Sequence, residues 1–156
     1  MHLAELNIAV PRFPLDDARI APFMDNLNRI NGLAHRMPGF VWMHKDESGH
    51  AMHQPTPWPD AAANLSVWET PEQLEHFVWN TVHKSFYNRK HEWFEAMRTH
   101  HFVMWWVPPG HRPTHGEAKE RLEHLDANGD TDHAFGWSHL PHVRLWQEKR
   151  CGREAG

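Results

Sequence analysis

Apolar and polar positions alternate from residue 2 to residue 10. His2, Ala4, Leu6, Ile8 and Val10 share one face of an extended chain, and Leu3, Glu5, Asn7 and Ala9 share the other. Pro11 and Pro14 end this strand. The period then lengthens: Ile20, Phe23, Met24, Leu27, Ile30 and Ala34 recur at helical spacing, predicting a helix over residues 16–36 capped by Asp16 or Asp17. Met37-Pro38-Gly39 turns the chain into a second strand, 40–45, with Phe40, Trp42 and His44 on one face and Val41 and Met43 on the other. Gly49, Pro55, Pro57 and Pro59 mark 46–61 as a loop long enough to be a lid or an edge cover.

A third strand is predicted over 62–69, where Leu65 and Val67 oppose Asn64, Ser66 and Trp68. Thr70-Pro71-Glu72 then opens a long helix with a capping hydroxyl, a proline in the first turn and an acid. This helix is expected to bend near Asn80–Thr81 and to run to about residue 98. A fourth strand covers 101–107 and stops at Pro108-Pro109-Gly110. A shorter helix, 116–125, carries Ala118, Leu122 and Leu125 inward; a turn at 126–132 and an irregular or short-strand return at 134–143 follow.

The order βαββαβ is that of an α+β, ferredoxin-like domain: a four-stranded antiparallel sheet with its helices expected on one side, followed by a C-terminal helical extension. Residues 1–140 form the expected domain and 141–156 a tail. The sheet face opposite the helices is expected to be mixed, carrying Glu5 and Asn7, Trp42 and His44, and Asn64, Ser66 and Trp68. A wholly apolar core has no use for Glu5 and Asn7, and a wet face none for several tryptophans. Aromatic walls with a few polar groups describe a ligand cavity, expected to be closed by a second copy of the chain.

Composition narrows the function classes. Lys and Arg number 16 against 20 Asp and Glu, a formal charge of −4 with the basic residues scattered, which excludes a general nucleic-acid or anionic-membrane surface. A cytoplasmic protein is expected, since no long apolar run or signal pattern is present. The single Cys151 forms no internal disulfide. The unusual counts are 16 His and nine Trp: near-neutral proton carriers and large flat surfaces to cover or line something.

In the long helix His83, Tyr87 and His91 follow at steps of four and project along one stripe. His83 is the first candidate for a catalytic base, and the same residue serves equally as a helix histidine bonded to a backbone carbonyl. Asn7 and Glu5, with Asn64 and Ser66, offer donors and acceptors that could orient a substrate or steady an enolate oxygen, or simply pair across strands. Trp42, Trp68, Trp79, Trp105 and Trp106 could stack on a planar ligand or belong to the core. No metal centre is expected. His44, His50 and His53, and His111 and His115, lack the partners of a ligand set. Asp126 to Asp132 mimics a calcium loop but has Thr131 and Trp137 where such a loop needs glycine and an acid, so it reads as a turn.

The segments HKSFYNRKHEWFE and WWVPPGHRPTHGEAKERLEHL resemble a DUF3291-like family of small bacterial proteins within the dimeric α/β-barrel superfamily. The pattern consists of His83, Arg89, Trp93 and Phe94, then Trp105, Trp106, Pro108, Gly110, Pro113, Glu117, Ala118, Arg121 and Leu122, and the similarity spans about residues 3–138. The resemblance implies a homodimer whose paired sheets form a barrel. It also implies a cavity for an aromatic or polyketide-like small molecule. The function implied is that of a tailoring enzyme similar to antibiotic-biosynthesis monooxygenases and cyclases, with no organic cofactor and a helix histidine as acid or base. Two alternatives come with the superfamily. One is a haem-binding oxidoreductase or dehydratase, for which Asn7, Trp79 and His83 or His91 are similar in kind, though not in spacing, to the haem-degrading branch. The other is a ligand-binding module without chemistry. Fold alone does not choose among them.

Overall fold

The alternation along the first strand organises the sheet. A computed structural model describes residues 1–9, 17–44, 62–79 and 102–140. Within it β1 (His2–Ala9) lies between β3 (Ala62–Trp68) and β4 (Phe102–Val107), antiparallel to both, and β2 (Phe40–Met43) pairs with the outer side of β3. The sheet order β2-β3-β1-β4 and the helices α1 (Ala21–Ala34), α2 (Pro71–Phe77) and α3 (His115–Asn128) give the ferredoxin-like α+β fold with its C-terminal helical extension. The long loop 46–61, the continuation of the aromatic helix to residue 98 and the tail from 141 lie outside the described residues.

Each helix begins where local chemistry satisfies its free amides. Asp17 accepts from the Arg19 amide at the entry to a 3-10 turn, Ala18–Ile20, that leads into α1. The Thr70 hydroxyl accepts from the Gln73 amide, with Pro71 in the first turn and Glu72 beside the positive helix end. For α3 the cap is Thr114, which accepts from the Glu117 amide; the helix therefore starts one residue earlier than expected, and it runs three residues further. Gly39, at φ 86°, makes the turn into β2, where its carbonyl accepts from the Glu69 amide.

The expectation of helices on one side only is corrected. Leu3, Trp68 and Met104 pack with Ile30 and Ala34 of α1 and with Leu74 and Phe77 of α2. The Glu5 face is therefore the one beneath α1 and α2, not an open face. Ala4, Leu6, Leu65, Val67, Val103 and Trp105, on the opposite face, form a second buried cluster with Ala118, Leu122 and Leu125 of α3. The extension supplies what the strand alternation could not reveal: a cover for the apolar face.

A second correction concerns β2. Its register shifts between Phe40, opposite Trp68, and Trp42, opposite Val67. One extra residue flips the faces. Phe40 and Met43 pack in the Leu3–Trp68 cluster, while Trp42 packs against the opposite cluster and the His44 ring lies 4.4 Å from the His115 ring at the start of α3.

Past α3 the chain returns along β4. Phe135 and Met104 exchange both backbone hydrogen bonds, at 2.8 and 3.0 Å, and a short 3-10 turn, Trp137–His139, follows. Trp137 stacks on Phe102 at 5.4 Å and Phe135 meets Trp106 at 5.9 Å, so the return borders the Glu5 face along its β4 side.

Candidate functional site

Three rows of side chains cross the face beneath α1 and α2. Leu3 is level with Trp68 and Trp106, Glu5 with Ser66 and Met104, and Asn7 with Asn64 and Phe102. Successive rows are about 7 Å apart along an extended strand. Exposure rises along them. Leu3 and Trp68 are fully buried, Glu5 and Ser66 are 5% and 2% exposed, and at the third row Asn7 is exposed while Asn64 and Phe102 are half-buried. Along the β1–β3 pair the face is thus buried at the tryptophan row and opens to solvent at the asparagine row, with an acid one row inside the opening, while Trp106 on β4 is half-buried.

That acid is held by a chain of hydrogen bonds. The Trp68 indole Nε1–H donates to Ser66 Oγ at 3.0 Å, and the Ser66 hydroxyl donates to Glu5 Oε1 at 2.6 Å. Among the described residues no cation pairs with Glu5, and its Oε2 receives no hydrogen bond from them. Burial therefore dominates: it pushes the carboxyl up from 4.5 to about 8, against the smaller lowering effect of the Ser66 hydroxyl. At neutral pH Glu5 is a neutral acid carrying a transferable proton. Beside it, Asn64 Nδ2 donates to Asn31 Oδ1 of α1 at 3.4 Å, which leaves Asn64 Oδ1 buried without a partner. A proton donor and an unfilled acceptor thus occupy neighbouring rows of one face.

The sequence-predicted site residues divide by face. Glu5, Asn7, Asn64, Ser66, Trp68 and Trp106 share this one. Asn7 stands at the open end in solvent rather than inside. Trp42 and Trp105 belong to the opposite face, where the fully buried Trp105 donates through its indole to Glu117 Oε2 at 3.1 Å. Both therefore lie off the Glu5 face: Trp105 within the second buried cluster and Trp42 half-buried against it. Trp79 follows α2, half-buried and with an interaction partner of its own. His83, Tyr87 and His91 lie outside the described residues.

Asn31 was not predicted. Its signal was available: an amide one position from Ile30 and three from Ala34, on the inner stripe of an otherwise apolar helix face. On the opposite face, burial and then the neighbouring His44 hold the His115 imidazole below its ordinary value, and His44 Nε2 is buried without a partner. No group of three His, Cys, Asp or Glu side chains among the described residues is placed to hold a metal ion. No helix among them is long and apolar enough to cross a membrane.

Fold and site together define a ferredoxin-like α+β domain with a buried, neutral carboxyl under its helices. The chain belongs to the family described as Domain of unknown function (DUF3291), whose model matches residues 2–151 and so extends into the segment read as a tail. Among solved structures it is similar to a "putative Antibiotic biosynthesis monooxygenase" from Chloroflexus aurantiacus J-10-fl, at 18% identity and a TM-score of 0.38, over 72% of this chain and 98% of that one. No curated protein matches.

Proposed function

We propose that the protein binds a neutral, carbonyl-bearing aromatic or polyketide-like small molecule at the open end of the Glu5 face and performs acid–base tailoring chemistry on it without an organic cofactor. The observation that carries this reading is the position of Glu5: uncharged, one row inside the Asn7–Asn64 opening, with one carboxyl oxygen tied to Ser66 and the other free of the described residues. A carbonyl oxygen reaching that row accepts the Glu5 proton's hydrogen bond, which favours enolisation of the ligand. A ligand hydroxyl donates to Asn64 Oδ1. His83 is retained as the base that removes the C–H proton, on its sequence position and the family resemblance alone.

The depth favours a small ligand over haem. One row of access suits the edge of a ring or a carbonyl substituent. A porphyrin needs several rows clear, and Leu3, Trp68, Phe77 and Met104 already pack with Ile30 and Ala34. The described residues do not fit that group. A homodimer remains part of the proposal on the resemblance alone.

The test is a nuclear magnetic resonance footprint with 1-tetralone, a neutral bicyclic ketone. The reading expects perturbation of the Asn64 side-chain amide and the Trp68 indole signal. Shifts confined to other parts of the protein, or none at millimolar ketone, would reject it.

A further inference from the structure

We infer that Trp68 and Ser66 are positioning residues that fix the polarity of Glu5, holding its acid proton on Oε2 and leaving Oε1 as the acceptor. The inference rests on reading the Glu5 face as the ligand site, and it names what makes that acid a one-way donor.

Donors and acceptors along this buried chain balance in one direction. An indole N–H only donates, so the Trp68 contact of 3.0 Å fills an acceptor position on Ser66 Oγ. A hydroxyl has one proton of its own to place. Among the described residues Ser66 Oγ has no acceptor other than Glu5 Oε1, 2.6 Å away. Were Glu5 to carry its proton on Oε1 and donate to Ser66, the serine would accept from both sides and its own proton would be stranded in a site 2% exposed. The arrangement that satisfies every proton runs one way: indole to hydroxyl, hydroxyl to Oε1, and the acid proton on Oε2.

Among the described residues, this face carries Asn64, Ser66 and Trp68 from β3 and Phe102, Met104 and Trp106 from β4, beneath Ile30, Asn31 and Ala34 of α1 and Leu74 and Phe77 of α2. None of these titrates. The other buried acid on these elements, Glu75 of α2, has a partner of its own. Each donor also polarises the next, so Trp68 acts on Glu5 through Ser66.

The consequence for the site is directional. Oε2 delivers a proton to a ligand carbonyl and takes it back at the same oxygen, while Oε1 stays engaged with Ser66 in both states. Ser66 therefore determines which oxygen does the chemistry, and Trp68 strengthens its grip.

The test needs no ligand and uses the full chain. Infrared difference spectra between wild type and Glu5→Gln at pH 6 isolate the C=O band of the protonated Glu5 carboxyl, and carbon-13 labelling of glutamate gives its titration midpoint. In Ser66→Ala the band should move to higher wavenumber, as Oε1 loses its donor, and the midpoint should rise. In Trp68→Phe both should move in the same direction by a smaller amount. A purely structural Ser66 would change the melting temperature and leave band and midpoint in place, which would overturn the inference. So would a Glu5 that titrates in the ordinary carboxylate range in wild type. These readouts are independent of the tetralone footprint: failure there removes the ligand reading, an unmoved band and midpoint in Ser66→Ala removes only the fixed polarity, and an ordinary Glu5 titration removes both.

Discussion

The Ser66 hydroxyl donates to Glu5 Oε1 across the β1–β3 pair at 2.6 Å, joining two residues 61 positions apart in the chain. It is the only hydrogen bond the Glu5 carboxyl receives from the described residues, and burial governs the rest of that group's behaviour.

Glu5 makes stability depend on pH in a stated direction. Its folded value of about 8 stands above its ordinary 4.5, so the folded state holds a proton that the unfolded state gives up. The associated stability is complete below pH 4.5, falls as pH rises between the two values and levels off above about 8. Linkage sets an upper limit of roughly 4–5 kcal/mol for this loss. Glu5→Gln removes it. Urea denaturation should find the variant close to wild type near pH 4.5 and more stable than wild type at pH 8.

Glu117 anchors the opposite face. Its carboxylate accepts from the buried Trp105 indole at 3.1 Å and lies 2.9 Å from His111 Nε2. Glu117→Ala strands a buried N–H and should cost about 1–3 kcal/mol. Glu117→Gln, which can still accept, should cost less. Denaturant midpoints of the two variants make the comparison.

Arg121 pins the return along β4. Its Nη1 donates to the His133 carbonyl at 2.8 Å and lies 2.9 Å from that ring's Nδ1, two residues before Phe135 joins Met104. Arg121→Ala should lose about 1–3 kcal/mol. Amide hydrogen exchange should quicken at Phe135 ahead of β1, because the return opens before the sheet does.

Gly39 is intolerant of a side chain on two counts. Its φ of 86° disfavours any Cβ, and a Cβ there would overlap the Gln73 side chain that closes the Thr70 cap. Gly39→Ala should destabilise by about 1–3 kcal/mol. Thermal melts of this variant beside Gly32→Ala, where a Cβ meets open space, separate strain from a general glycine effect.

The proposed homodimer predicts a mass twice the 18.4 kDa of the chain by light scattering at micromolar concentration. A single-chain mass would end that part of the proposal.

The strands, the Asp17 and Thr70 caps and the element order were legible because they rest on local signals: alternation in 2–9, helical spacing in 21–34, and the Thr70-Pro71 start. The polar row was legible too, since Glu5, Asn7, Asn64 and Ser66 break otherwise apolar faces. What escaped was long-range. Alternation separates the two faces of a strand without saying which one the helices cover, and that depends on how α1 and α3 return to the sheet. The β2 bulge flipped Trp42 and His44 because counting by twos assumes an unbroken ladder. The start of α3 lies one residue before the expected 116 because the Thr114-x-x-Glu117 cap, also a local signal, sets it. Asn31 sits beside the apolar stripe of α1, and periodicity alone does not distinguish an inward amide there from a solvated one.

The central claim is that a neutral Glu5 donates to a ligand carbonyl from one row inside the opening. The most direct measurement is the affinity of 1-tetralone, which has no ionisable group near neutrality, followed from pH 5 to 9.5 in wild type and Glu5→Gln. The account predicts constant wild-type affinity up to about pH 7, a decline through pH 8 that approaches tenfold per pH unit as Glu5 ionises, and no such decline in the variant. Wild-type affinity that stays level through pH 9.5, or a decline shared equally by Glu5→Gln, would contradict it.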